Sequence, residues 1–123
     1  MPYILLQAGT AAANALPISG HSTAYILAWL GLFLMVALSG IGSAMGTVIG
    51  GSATIAAMKK REDVFANCMI LSALPGTQGL YGFGAFFILK GFATADVNMI
   101  TAAAIFGAGL MSGLVNLLSA YFQ

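Results

Sequence analysis

The run Lys59-Lys60-Arg61-Glu62-Asp63 holds five of the chain's seven charged side chains; the other two are Lys90 and Asp96. No charge precedes Lys59, none lies between Val64 and Leu89, and none follows Asp96. Crossing a hydrocarbon core of roughly 30 Å takes about 20 apolar residues, and each of these three charge-free stretches supplies them. A backbone in lipid must satisfy its own hydrogen bonds, which leaves helices or a closed barrel. Strands would alternate apolar and polar residues, and these runs do not. Three helices are therefore expected, at about residues 23–58, 64–90 and 97–123, in an all-α membrane protein. The first exceeds a single span: as a helix it would reach about 54 Å, so it should tilt or project toward the charged loop. The basic residues place loop 59–63 on the cytoplasmic side, with the amino terminus and the Lys90–Asp96 turn opposite.

Composition agrees. Of 123 residues, 60% are hydrophobic and 6% charged, against about 25% charged in soluble domains. Mean hydropathy is +0.99. These values exclude a soluble enzyme, and equally a disordered chain, which would be charged and poor in apolar residues. A net charge of +1 offers nothing to nucleic acid. The single cysteine, Cys68, excludes an internal disulfide framework and a cysteine metal cage. No Walker loop is present, and Gly40-Ile41-Gly42-Ser43-Ala44-Met45-Gly46 has the wrong spacing for a dinucleotide fingerprint. The chain itself is not expected to hydrolyse ATP or to carry a cofactor. Residues 1–22 are interrupted by Pro2, Gly9, Pro17 and Gly20. They read as an amino-terminal extension or a leader. Ala13-Asn14-Ala15 resembles a cleavage site, but no Lys or Arg precedes it. His21, at the edge of this segment, reads as a solvated or capping side chain.

The first and third helices resemble each other. Gly31–Ala44 lies over Gly107–Ala120 at an offset of 76, matching Gly31 with Gly107, Leu34 with Leu110, Met35 with Met111, Leu38 with Leu114, Ser43 with Ser119 and Ala44 with Ala120. The implied unit is a helical hairpin: residues 23–90 form one, and 97–123 the first helix of a second. By the same offset that second hairpin would need further residues, so the expectation is three spans of a four-span design, with the chain a fragment.

Two features carry chemistry. In the first helix, Gly42, Gly46 and Gly50 recur every four residues and form a smooth ridge flanked by Ser39, Ser43, Thr47 and Thr54. Small-residue stripes let helices approach closely in lipid. The ridge fits either packing within one bundle or a crowded inner ring of helices. In the second helix, Leu74-Pro75-Gly76-Thr77-Gln78-Gly79-Leu80-Tyr81 lies near mid-span. Leu74, Thr77, Gln78 and Tyr81, at i, i+3, i+4 and i+7, share one helical face. Pro75 removes a backbone donor and clashes with the carbonyl four residues back. A bent helix with freed carbonyls beside hydroxyl and amide oxygens suits a hard cation. The same side chains would also serve as interhelical hydrogen-bond glue. No Asp or Glu lies within a span, although intramembrane acids usually mark an ion path.

The motif Leu74-Pro75-Gly76-Thr77-Gln78-Gly79-Leu80-Tyr81-Gly82-Phe83 follows the glycine-rich Ser39–Gly46 segment and the charged loop. Together, over about residues 24–123, they resemble the proteolipid (K, or c-ring) subunit of bacterial V/A-type ATPases, in the membrane V0 sector. The resemblance implies a ring of copies, each a duplicated hairpin, turning against a stator subunit and joined to the central-stalk subunit. Such a subunit is non-catalytic and carries H⁺ or Na⁺ across the bacterial cytoplasmic membrane, coupled to ATP hydrolysis or synthesis. The resemblance also implies ion ligands at Thr77, Gln78 and the Leu74 carbonyl, with Tyr81 supporting an essential carboxylate. Gln123 corresponds to a further glutamine ligand. The essential Glu belongs to a fourth helix that this sequence does not reach. The oxygens of Thr77, Gln78 and Gln123 point to Na⁺, since a proton needs no oxygen cage.

Two rivals belong to other classes. A small multidrug-type transporter also uses short multi-span chains, but it needs a carboxylate in the first span, and none is there. A structural packing protein without ion binding would leave Thr77, Gln78 and Tyr81 as glue.

Overall fold

The computed structural model describes residues 20–123, with side chains from residue 23 onward. The reading of residues 1–22 as extension or leader, and that of His21, lie outside the described side chains. Among the described residues every regular element is helical. Helix α1 is Gly20–Met58, 39 residues, or about 58 Å. A 3-10 turn, Glu62–Val64, leads into α2, Phe65–Ala73. Helix α3 is Gly76–Leu89 and ends in a second 3-10 turn, Lys90–Phe92. Helix α4 is Met99–Phe122. Among the described residues two segments are long and apolar enough to cross a membrane, Thr23–Met58 and Met99–Phe122.

The second expected helix, 64–90, is interrupted where the sequence puts proline. Leu74 and Pro75 both keep right-handed helical angles, φ/ψ −55°/−44° and −59°/−21°, so the chain does not turn away. What changes is the hydrogen-bond ladder. Pro75 has no N–H to donate, and the next donors reach back only three residues: Thr77 N to the Leu74 carbonyl (3.0 Å) and Gln78 N to the Pro75 carbonyl (3.3 Å). The result is two helices, α2 and α3, in series.

Helices α1 and α4 run in parallel, with the most extensive contact in the bundle. A Cβ on Gly31 would strike the Phe106 backbone, one on Gly42 the Leu117 backbone, and one on Gly46 the Ala120 carbonyl. These partners lie 74 to 75 residues apart, close to the offset of the internal repeat. Helix α3 runs antiparallel to α1, so Gly82 meets Ser39, Gly79 meets Ser43, and Pro75 lies against Gly46. The Lys59–Asp63 loop and the Lys90–Asp96 turn therefore sit at opposite ends of the bundle. Past the level of Gly46, α1 is flanked by α2: Gly50 faces Ser72, and the Thr54 hydroxyl donates to the Cys68 carbonyl (3.0 Å). The Gly42–Gly46–Gly50 ridge is thus used inside the chain, against α4, Pro75 and α2 in turn. These contacts are packing within the chain's own bundle.

The apolar core gathers toward the Lys90 end, where Ala24, Ala28, Leu32 and Met35 of α1 meet Ala102 and Ile105 of α4. Trp29 is edge-on to both Tyr25 and Phe86, and the Lys90 ammonium lies 4.4 Å from the Phe87 ring centroid. Aromatic rings and a snorkelling lysine are the usual furniture of a membrane–water boundary. Nearby, the Asn98 side chain accepts from Thr101 N (2.8 Å) and caps α4. Asn98→Ala should lower stability by about 1 kcal/mol, read as a lower thermal midpoint in detergent. At the other end, Arg61 forms a two-point ion pair with Asp63 (2.6 and 3.1 Å). The guanidinium holds the Asp63 carboxyl below its usual range.

Candidate cation site

The interior of an apolar bundle makes each polar group conspicuous. Ser39 is fully buried, and Gln78 is 7% exposed. Among the described residues no buried side-chain nitrogen or oxygen lacks a partner. The polar groups fall into two adjoining layers. In one, Asn116 Nδ2 donates to Ser39 Oγ (3.0 Å), and Gly82 leaves the space that Ser39 occupies. In the other, Gln78 Nε2 donates to Ser119 Oγ (3.0 Å) and to Gln123 Oε1 (3.4 Å). Ser43 Oγ donates to the Gly76 carbonyl (3.3 Å). Ser43 and Ser119, matched by the internal repeat, thus grip the same turn from α1 and from α4.

The break at Pro75 shapes the next turn. Thr77 Oγ1 donates to the Leu74 carbonyl (2.8 Å), which also accepts Thr77 N. The hydroxyl proton is thereby engaged, and the hydroxyl lone pairs are left. In the same way both amide hydrogens of Gln78 have acceptors, and the amide oxygen is left. Oxygens without a competing donor are the kind of ligand a hard cation takes, and this turn offers two toward such a set. Among the described residues no group of three or more His, Cys, Asp or Glu could hold a metal; what this turn offers is neutral oxygens.

The structure places the sequence's candidates unevenly. Gln78 and Gln123 come together, and Thr77 is tied to the Leu74 carbonyl. Tyr81 is 63% exposed and Leu74 42%, so neither is covered by α1 and α4 as Gln78 is. The shared face read from spacing spreads in three dimensions from interior to periphery. Sequence reasoning had Ser119 only as a repeat match and missed Asn116. Their spacing with Gln123, i, i+3 and i+7 along α4, was the available signal.

Residues 30–89, from α1 through α3, match the family of the C subunit of ATP synthase. The chain is 34% identical over 98 residues to the K subunit of the V-type sodium ATPase of Enterococcus hirae, covering 80% of this chain and 63% of that protein. It is 38% identical over 93 residues to the K subunit of the A-type ATP synthase of Methanocaldococcus jannaschii, covering 75% of this chain and 40% of that protein. The chain thus spans less than two thirds of the length of either relative. No solved structure matches it significantly.

Proposed function

We propose that this chain, whose residues 30–89 match the family of the ATP synthase C subunit, is a non-catalytic rotor-ring subunit of a V/A-type ATPase. Its copies stand side by side in a membrane ring that turns against a stator subunit. Each carries an ion across the bilayer as ATP is hydrolysed or made. Loop 59–63 faces the cytoplasm and the central stalk, and the Lys90–Asp96 turn faces the opposite side.

The ion we propose is Na⁺. The observation that carries this is the state of the oxygens: Thr77 Oγ1 and Gln78 Oε1 keep lone pairs, while their hydrogens are engaged by the Leu74 carbonyl and by Ser119 and Gln123. A proton carrier needs only a titratable group, whereas a sodium carrier needs oxygens arranged around the ion. The E. hirae relative, a sodium ATPase subunit by name, supports the same choice. The compensating charge would come from a carboxylate outside residues 20–123, as the resemblance implies. Lipid-facing, that acid must be ion-paired or protonated, because bare charge in the bilayer is costly. Release then happens only where the stator offers water and a basic partner. Tyr81, exposed on α3, would support that carboxylate, as the resemblance implies.

The test is ATP-driven ²²Na⁺ uptake into inverted membrane vesicles containing the assembled complex. Uptake should persist, or rise, when a protonophore collapses the pH gradient. Uptake abolished by the protonophore, with ATP-driven acidification in Na⁺-free buffer, would assign the ring to protons.

A further inference from the structure

We infer that Ser119 is a positioning residue that sets which end of the Gln78 carboxamide faces the ion. The inference rests on reading this cluster as a cation site. A primary amide has two similar ends of opposite character: its oxygen attracts a cation, and its NH₂ group repels one. Rotation about the last side-chain bond exchanges them, so affinity depends on what fixes that rotation. Gln78 is 7% exposed, and its nearest hydrogen-bond partner is Ser119 Oγ, 3.0 Å from Nε2; the contact to Gln123 Oε1, at 3.4 Å, is weaker. The backbone of the same turn is held separately, by Ser43 Oγ on the Gly76 carbonyl. Ser43 fixes where the turn lies, and Ser119 fixes the orientation of its buried carboxamide.

A residue with this role changes affinity without changing assembly or maximal turnover. One hydrogen bond of this kind corresponds to about a threefold to tenfold change. In the purified, assembled complex, Ser119→Ala should raise the Na⁺ concentration for half-maximal ATP hydrolysis by that factor. The rate at saturating Na⁺ and the mass of the ring should stay unchanged. Ser119→Thr, which keeps the hydroxyl, should restore the wild-type value. Gln78→Leu is the control for the underlying reading. If Gln78→Leu keeps the wild-type Na⁺ dependence, or the wild type has none, the cation-site reading falls and this inference with it. If Gln78→Leu weakens Na⁺ but Ser119→Ala does not, or tightens it, only the role of Ser119 is overturned, because the amide oxygen then faces Ser119 instead. An unchanged half-saturation with lower ring yield, or Ser119→Thr behaving as Ser119→Ala, also overturns it by marking Ser119 as packing.

Discussion

Gly46→Leu should leave almost no folded protein, measured as the yield of folded chain after mild-detergent extraction. A Cβ at this position meets two groups at once, the Ala120 carbonyl of α4 and the Pro75 ring at the α2–α3 break. One is backbone, and the other is a rigid ring that is itself fully buried, so neither can swing aside. Overpacking a tight interior costs about 1–3 kcal/mol even when flexible side chains absorb it; here three helices must separate. The ridge taken alone suggests that such a change would act on ring assembly. The contacts move the effect earlier, to the chain's own bundle. The contrast is Gly40→Leu. Gly40 lies two residues before Gly42 and has nothing within 4 Å of a built Cβ, so the chain should fold normally with it. Equal yields for the two variants would contradict the close approach described for Gly46.

Gln78→Leu should weaken Na⁺ binding by about tenfold to a hundredfold, the factor that corresponds to one oxygen contact with a charged partner. Direct ²²Na⁺ binding to the isolated ring is the measurement. Leucine has nearly the volume of glutamine, so packing beside Ser119 is kept while the amide oxygen is lost. The change also leaves Ser119 and Gln123 without their shared donor. A structural packing protein, the rival without ion binding, predicts a different outcome: lower bundle stability and no ion phenotype.

Much of this was legible because charge and glycine are coarse signals with large energies behind them. Five clustered charges locate the loop, and charge-free runs locate the helices. Pro75 announces the break because it lacks a donor whatever surrounds it. Periodicity, by contrast, says which residues share a face but not what that face meets. Leu74, Thr77, Gln78 and Tyr81 do lie on one side of a helix. Yet α1 and α4 bury only Gln78 among them, and Tyr81 is left outside. The Ser39–Asn116 bond joins residues 77 positions apart, a pairing that depends on how α1 and α4 are staggered. The start of α1 at Gly20, three residues before the apolar run suggests, reflects helix propagation beyond the strictly apolar segment.

The parallel pairing of α1 with α4 also bears on symmetry. Each helix lies beside its own sequence equivalent, so the relation between them is a step rather than a mirror. A self-complementary two-fold contact would end with the pair. A head-to-tail step has no such end: it continues until the rotation per step brings the last unit back to the first, or else it runs on as an open filament. In the proposed ring, the angle at which α1 meets α4 within a copy and the angle between one copy and the next would together decide how many units close the circle. The small residues at Gly31, Gly42, Gly109 and Gly113 let those two axes come close within each copy.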